Sequence, residues 1–238
     1  MLNTPLNYNR ILRSDTKKLI IFWSEKSGCC TATAMFFKYI GYRYDNNRFI
    51  QLSRSEYQDE TGFYDMPENY ENYIIFQIVR NSYSRAVSSY LVSRIRSIDY
   101  YNQLNNNDYF VSPVANNLSF IEFLQTILQQ KTSDLPVDSH YDIQTMKDSH
   151  IPISQNNIVY LETYKKDIKK INKKYNINLD SKVRYDIHSH YSIFSTYQFL
   201  YHTEPPQYKK FFKDPKAKNL VEHIYNIDIE NFKFKYPY

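Results

Sequence analysis

Two short apolar runs in the first third of the chain are each followed by a polar turn and then by residues at helical spacing. The runs are Leu19–Trp23 and Tyr73–Val79, and both have the length and composition of buried parallel strands. The apolar residues behind the first run predict a helix over Thr31–Ile40, which ends at Gly41. The apolar residues that follow the second run predict a helix over Ser84–Ser97.

The rest of the chain continues this alternation of strands and helices less regularly. Further predicted elements are a helix that begins at Asn117 or Ser119 and runs through Gln130, a strand over Ile158–Leu161, and helices over Thr163–Tyr175 and Pro215–Asn226. We expect an irregular lead-in over residues 1–17, irregular segments over 99–117 and 131–155, and no assignable structure over 42–72. Strands that alternate with helices predict an α/β fold with a central parallel sheet covered on both faces.

Composition and length favour a single folded domain over residues 1–238. Apolar residues make up 42% of the 238 positions, and neither an internal repeat nor a linker interrupts the chain. The net charge of +5 suits a polyanionic ligand such as a nucleotide but is too small to indicate binding of DNA or RNA.

Cysteine usage and apolar run length bear on where the protein works. The two cysteines, Cys29 and Cys30, are adjacent, so they cannot close an ordinary disulfide loop, and free thiols fit a reducing compartment. As no histidine precedes His140, we interpret them as small loop residues rather than nucleophiles.

The longest apolar runs are far shorter than the roughly 18 residues of a membrane span, and no signal peptide is visible, so we expect a cytoplasmic protein without a membrane span.

The polar turn Ser24–Cys30 has the features of a phosphate-binding loop. It connects a strand to a helix, so its amides and the positive end of the helix dipole would face an anion. Lys26 adds a full charge, and the hydroxyls of Thr31 and Thr33 can donate to phosphate oxygens. A nucleotide triphosphatase loop is the obvious alternative, but its lysine follows the second glycine, whereas Lys26 precedes Gly28 by two residues.

A second candidate anion site follows the strand over Tyr73–Val79. Arg80 leaves that strand, and Ser88 lies eight residues later in the predicted helix, so a guanidinium and a hydroxyl can meet over one phosphate. The alternative is an arginine paired with a local carboxylate, with Ser88 as a small residue where helices pack.

Both segments resemble the cofactor-binding motifs of sulfotransferases. The run from Lys26 to Thr31 resembles the 5′-phosphosulfate loop Pro-Lys-x-Gly-x-Thr, with Glu25 in the proline position and Cys30 in the threonine position. The run Ile78–Tyr90 is similar to the 3′-phosphate segment Val-Arg-Asn-Pro-Tyr-x-Arg-x-Val-Ser-x-Tyr, and departs from it only at Ser82. Two further segments, Val159–Asp167 and Leu220–Phe234, are similar to carbohydrate sulfotransferases of the family 2 type.

This resemblance implies a P-loop-like three-layer α/β sandwich that binds 3′-phosphoadenosine 5′-phosphosulfate (PAPS). The sulfuryl group would pass to an acceptor hydroxyl on a carbohydrate or small molecule, with adenosine 3′,5′-bisphosphate (PAP) as product and no metal. Lys26 would stabilise the departing 5′-phosphate, and Arg80 with Ser88 would bind the 3′-phosphate. The implied cofactor-binding residues are Lys26, Ser27, Gly28, Cys29, Cys30, Thr31, Arg80 and Ser88.

The general base is a choice between carboxylates and a histidine. Sulfotransferases use a histidine or a glutamate, often between the two phosphate motifs, and the interval here offers Glu56, Asp59 and Glu60 but no histidine. His140, in Asp138-Ser-His-Tyr, resembles a His-Trp element of the family 2 type. For each of these residues, a solvated surface position is the alternative.

Two other functions stay open at this point. A degenerate member of the same fold would bind nucleotide or a partner without turnover, which the departures at Glu25 and Ser82 allow. A P-loop nucleotide kinase is the weaker rival, because its lysine is missing from the required position. The oligomeric state is open.

Overall fold

The chain divides into two compact units, which are described in turn. The first comprises Met1–Arg80 and Met146–Ile187, and the second Asn81–Thr145 and His188–Tyr238. The computed structural model describes residues 10–44, 50–103, 118–133, 137–145, 153, 155–183 and 207–238, with the backbone alone for 94–103 and 156. The single domain predicted from the sequence stays a prediction.

A mixed sheet organises the first unit. Its described strands are β1 (Ile11–Ser14), β2 (Leu19–Phe22), β3 (Ile74–Val79) and β4 (Ile158–Tyr160), in this order across the sheet. β2, β3 and β4 are parallel neighbours, whereas β1 runs antiparallel to β2. The α/β class is therefore confirmed, and the predicted parallel sheet is found for β2, β3 and β4 but does not include β1, which is antiparallel.

β1 lies within the lead-in that was expected to be irregular. Only four residues long, it pairs with β2 across the turn Asp15–Lys18, and Lys18 ends that turn with a φ of +47°. This four-residue segment, which ends in the polar residues Arg13 and Ser14, is too short and too polar to be predicted as a strand from its sequence. It forms a strand because it pairs with β2.

Seven α-helices are described, and most lie where the apolar spacing predicts them. They are α1 (Cys29–Ile40), α2 (Ile50–Thr61), α3 (Ser82–Gln103), α4 (Phe120–Thr132), α5 (Tyr164–Tyr175), α6 (Pro215–Ile224) and α7 (Asn226–Phe232). Gly41 ends α1 with a φ of +76°, as its sequence position predicts. α2 lies in the segment whose structure the sequence left unassigned, and α7 begins at Asn226, where the last predicted helix ends. None of the described helices is both long and apolar enough to traverse a bilayer.

Alternate side chains of the strands point to opposite faces of the sheet. Leu19 and Ile21 pack on one face with apolar residues of α1, α2 and α5, whereas Ile20 and Phe22 pack on the other with Tyr73. The described helices of this unit thus share one face, and the P-loop-like three-layer layout stays a prediction.

α1 and α2 lie side by side and run in the same direction. At their first turns Gln51 Nε2 donates to Cys30 Sγ at 3.1 Å, and at their ends the Tyr42 hydroxyl donates to Glu60 at 3.1 Å. The first turn of α2 therefore lies at the same end as the loop before α1.

The second unit is helical and has an aromatic core, contributed by α3, α4, α6 and the 3₁₀ helix Tyr208–Phe212. Ser119 caps α4 as predicted, since its hydroxyl accepts from the Glu122 amide and the Glu122 carboxylate accepts from the Ser119 amide. Asn117, the other candidate cap, lies outside the described residues.

Candidate functional site

Three parallel strands end at one edge of the sheet, and the candidate anion-binding residues of the first unit follow them. Trp23 follows β2, Arg80 follows β3 and Leu161 follows β4. The carboxyl edge of parallel strands is where α/β proteins bind ligands.

The loop between β2 and α1 is held in one conformation by its own polar groups. The Ser24 hydroxyl donates to Ser27 Oγ at 2.9 Å, and the Ser27 amide donates to the Ser24 carbonyl at 3.1 Å. Lys26 has a φ of +64°, in the left-handed region that residues with a Cβ rarely adopt. The loop is thus a tight, strained turn with a lysine at its tip.

Gly28 is required where the loop enters α1. Its φ of +89° favours glycine, and a Cβ at this position would lie 2.7 Å from Leu161 Cδ1. α1 begins at the next residue, Cys29, so the positive end of its dipole lies at the carboxyl edge of the sheet.

Arg80 connects the two sequence motifs. Its guanidinium donates to the Lys26 carbonyl at 3.0 Å, and the residue is 8% exposed. Because the acceptor belongs to the strained residue of the loop, Arg80 stabilises that conformation as well as placing a positive charge beside it.

The acidic residue in the proline position of the loop is paired. Glu25 lies 3.1 Å from Nε of Arg10, and their side chains are 20% and 12% exposed. The Arg10 carbonyl also accepts from the Trp23 amide at 3.1 Å. The negative charge that could weaken anion binding at Lys26 is therefore offset by a neighbouring cation.

The two threonines of α1 differ from the sequence-based expectation. The Thr33 hydroxyl donates to the Cys29 carbonyl at 2.9 Å and the residue is fully buried, so the expectation that it donates to phosphate is wrong. The reason is helical geometry, which places a threonine hydroxyl against the carbonyl four residues earlier. Thr31, two residues nearer the loop, is 7% exposed and stays a candidate.

The adjacent thiols at the start of α1 interact with each other. Their sulfur atoms lie 3.8 Å apart. The hydrogen bond from Cys30, together with the charges of Arg54 and Lys26, lowers the pKa of Cys29 to about 6, whereas that bond and burial raise the pKa of Cys30. These interactions favour the thiolate of Cys29 over that of Cys30, a property that the sequence did not indicate.

Arg54 on α2 reaches the same place and was not among the predicted site residues. Its guanidinium carbon lies 3.9 Å from the centroid of the Trp23 ring, and Trp23 itself is 2% exposed. This contact could not be predicted from the sequence, because the helix that carries Arg54 was not recognised there.

Among the predicted carboxylates, Glu60 lies at the far end of α1. It binds Tyr42, which follows the C-terminus of that 12-residue helix, so about 18 Å of helix separates it from the start of α1. Glu56 lies one turn earlier on α2, and Asp59 accepts from the Tyr64 hydroxyl. Whether either glutamate acts as a base stays a prediction.

In the second unit, His140 forms a pair with a carboxylate. His140 Nδ1 lies 2.7 Å from Asp138 Oδ1, which also accepts from the His140 amide at 2.8 Å. The histidine side chain is 20% exposed and the aspartate 37%. A carboxylate at Nδ1 orients the ring and leaves Nε2 directed elsewhere, the arrangement that a general base requires.

Buried groups fix the segment around His140. Arg85 donates to the Asp142 carbonyl at 2.5 Å, and the Ser89 hydroxyl donates to the His140 carbonyl at 2.7 Å. Asp228 on α7 is fully buried and accepts from the amides of Gln144 and Thr145 at 2.8 to 2.9 Å. Asp228 lies in the closing motif that the sequence singled out, and this structural role is what it performs here.

Ser88, the predicted partner of Arg80, lies half-buried on α3 in the second unit. Arg80 is the last residue of the first unit before α3. Their joint contact with a 3′-phosphate stays a prediction.

In the described part of the chain, no three or more histidine, cysteine, aspartate or glutamate side chains are grouped as metal ligands would be.

Comparison with known proteins identifies the family of this chain. No curated protein and no solved structure matches the sequence. A model of the sulfotransferase family matches residues 9–235, which include the strained loop, Arg80, His140 and Asp228. With nearly its whole length covered by that model, the chain belongs to the sulfotransferase family.

Proposed function

We propose that the protein transfers the sulfuryl group of PAPS to an acceptor hydroxyl on a carbohydrate. The observation that carries the proposal is the 3.0 Å contact from Arg80 to the Lys26 carbonyl, which joins the two phosphate-binding motifs at the carboxyl edge of the sheet. The family match supports sulfuryl transfer in general, and the donor and the acceptor class are our proposal.

At the 5′ end of the donor, the loop and the start of α1 would bind the phosphate. Amides from Gly28 to Thr31, the Thr31 hydroxyl and the helix dipole would hold its oxygens, and Lys26 would neutralise the charge that develops on the leaving oxygen. The tight turn and the glycine at the N-terminus of α1 suit this group, because they let backbone amides approach it closely.

At the 3′ end, Arg80 and Ser88 would bind the phosphate that distinguishes this donor from ATP or ADP. Because a guanidinium carries five N–H groups, it can donate to a phosphate while one of these groups donates to a carbonyl. Loss of one charge-assisted hydrogen bond of this kind costs about 1.5–3 kcal/mol, or about ten- to over a hundredfold in affinity.

The donor supplies a sulfuryl group already activated by its bond to the 5′-phosphate. The acceptor oxygen forms a bond to sulfur as the bond from sulfur to the 5′-phosphate oxygen breaks, and PAP leaves with that electron pair. His140 would take the acceptor proton at Nε2, and Asp138 would hold the ring and stabilise the imidazolium. Glu56 and Glu60 are the rival bases.

A catalytically degenerate member of the family is the second candidate. Its support in the sequence is the acidic Glu25 of the loop, but the ion pair with Arg10 offsets that charge. Such a protein would bind PAP without turning over PAPS.

Calorimetric titration tests the proposal. We expect wild type to bind PAP much more tightly than ADP or ATP, and Arg80→Ala to lose that preference. Equal binding of all three nucleotides would indicate a generic nucleotide enzyme, and no binding would overturn the proposed donor. Binding of PAP without sulfuryl transfer to any sugar or phenol in an acceptor panel would favour the degenerate protein.

A further inference from the structure

A stacked arginine–tryptophan pair lies beside the candidate phosphate loop. The Arg54 guanidinium covers the ring of Trp23 at 3.9 Å, and Trp23 is the residue that leads from β2 into the loop. Stacking holds a guanidinium plane parallel to the ring and restricts where its N–H groups can point.

The guanidinium also lies near the start of α1. Arg54 and Lys26 are the two cations whose charge favours the thiolate of Cys29, the first residue of that helix. One turn earlier on α2, Gln51 contacts the neighbouring thiol of Cys30 at 3.1 Å. This face of α2 therefore lies along the first turn of α1, where the 5′-phosphate would bind.

Two nitrogen atoms of the stacked pair are buried without a hydrogen-bond partner among the described residues. They are Nη1 of Arg54 and Nε1 of Trp23. Glu25, the nearest carboxylate along the loop, is paired with Arg10, and no ion pair joins any described carboxylate to Arg54. A buried charged donor left without an acceptor is costly, so its persistence indicates an acceptor supplied by a ligand.

We propose that Arg54 is a further binding residue for the 5′-phosphate of the donor, with Nη1 donating to a phosphate oxygen at the N-terminus of α1. This inference rests on the proposed function, since it assumes a nucleotide in the loop. Lys26 then provides a flexible charge at the tip of the loop, and Arg54 provides a planar donor fixed by the indole.

The test compares Arg54→Gln with Arg43→Gln, which removes the same charge from an exposed arginine of the first unit. The probes are PAP and adenosine 3′-monophosphate, which differ only in the 5′-phosphate. We expect Arg54→Gln to weaken PAP binding by about ten- to one hundredfold and to leave the monophosphate nearly unchanged. Arg43→Gln should bind both like wild type.

Tryptophan fluorescence gives a second readout, because Trp23 is the chain's single tryptophan. PAP should change its emission in wild type by engaging the guanidinium above the ring, and this change should be lost in Arg54→Gln. Arg54→Lys, which keeps the charge without the planar fork, should bind PAP with intermediate affinity and covers the case in which the glutamine variant does not fold.

The outcomes separate the inference from the proposed function. If wild type prefers PAP but Arg54→Gln binds it as tightly as Arg43→Gln does, the inference is overturned and the donor assignment stands. If Arg54→Gln weakens PAP and the monophosphate equally, the arginine supports the fold rather than the 5′-phosphate. If wild type binds neither nucleotide, the proposed function fails first.

Discussion

Arg80 and Lys26, 54 positions apart in the sequence, meet in a 3.0 Å hydrogen bond from the guanidinium to the lysine carbonyl. The acceptor belongs to a residue with left-handed backbone geometry, so the bond stabilises the loop conformation itself. A single side chain from the segment that resembles a 3′-phosphate motif thereby stabilises the loop that resembles a 5′-phosphosulfate motif.

Arg80→Ala should therefore weaken binding of all nucleotides, but to different extents. PAP should lose about ten- to over a hundredfold in affinity because a charged contact to its 3′-phosphate disappears, and ADP should lose less because only the loop is loosened. Calorimetry on both ligands measures the two losses. Ser88→Ala is the companion variant, and it should affect PAP alone; equal losses of PAP and ADP in Arg80→Ala would leave only the loop role.

Gly28→Ala should destabilise the first unit and impair nucleotide binding. The alanine would have to adopt a φ of +89° and its Cβ would meet Leu161, which together should cost about 2 kcal/mol. Thermal unfolding and PAP titration measure the two effects.

Gly41→Ala is the matched control for that variant. Its φ is +76° but nothing lies within 4 Å of an added Cβ, so it should show the backbone cost alone, about 1 kcal/mol, with PAP affinity unchanged. Adding Leu161→Ala to Gly28→Ala should recover part of the difference. Identical unfolding temperatures for the two glycine variants would mean that the Leu161 side chain simply moves aside.

His140→Gln should lower kcat by about 10²- to 10⁴-fold with little change in PAP affinity, because it removes the proposed proton acceptor. Asp138→Asn should lower kcat less and leave KM nearly unchanged, since it disturbs the orientation of the ring. Glu56→Gln and Glu60→Gln serve as the rival variants in the same assay. A large loss of kcat in either of them, with His140→Gln active, would transfer the base role to that carboxylate.

Cys29 should react with iodoacetamide at neutral pH, whereas Cys30 should not. The pKa of Cys29 is lowered to about 6, so its thiolate and its rate of alkylation should rise through pH 6 and level off near pH 7.5. Mass spectrometry of the labelled peptide, with Cys29→Ser as control, assigns the site. PAP should slow the reaction by covering the start of α1. A rate that rises only above pH 8 would contradict the lowered pKa.

Asp228→Asn should destabilise the second unit by about 3 kcal/mol, because the amides that the buried carboxylate accepts from would lose charged partners. Denaturant unfolding measures this change. Glu230→Gln, an exposed carboxylate of the same helix, should change stability by less than about 0.5 kcal/mol. Equal stabilities for the two variants would mean that the 144–145 turn is held by other contacts.

The parts of the fold that the sequence predicted are those determined by local pattern. Apolar period and glycine placement located β2, the loop at Gly28 and α1 with its end at Gly41. α2 escaped detection because two of its four buried residues, Ser53 and Gln58, are polar and are buried by long-range packing. β1 escaped because a four-residue edge strand is defined by its partner.

The candidate site shows the same division. Lys26 and Arg80 were recognisable because motif spacing identifies them, but their mutual contact depends on how β2 and β3 pair. Arg54 lies in no recognised motif, and Asp138 was noted only as a neighbour of His140 in the segment Asp138-Ser-His-Tyr. Arg54 depends on the packing of an unrecognised helix against Trp23, and the role of Asp138 depends on a tight turn that brings it to His140.

Because the loop is restrained by the ion pair between Arg10 and Glu25, its rigidity depends on the ionic strength of the solution. A proline at the Glu25 position would restrict the backbone covalently, at any ionic strength. Here the restraint is a Coulombic pair at 3.1 Å whose side chains keep some contact with solvent. Dissolved ions weaken such a pair, less than a fully exposed one but measurably. Ionic strength should therefore affect nucleotide affinity in two ways. Salt screens the charge of the ligand, and it also weakens the ion pair that makes the binding loop stiff.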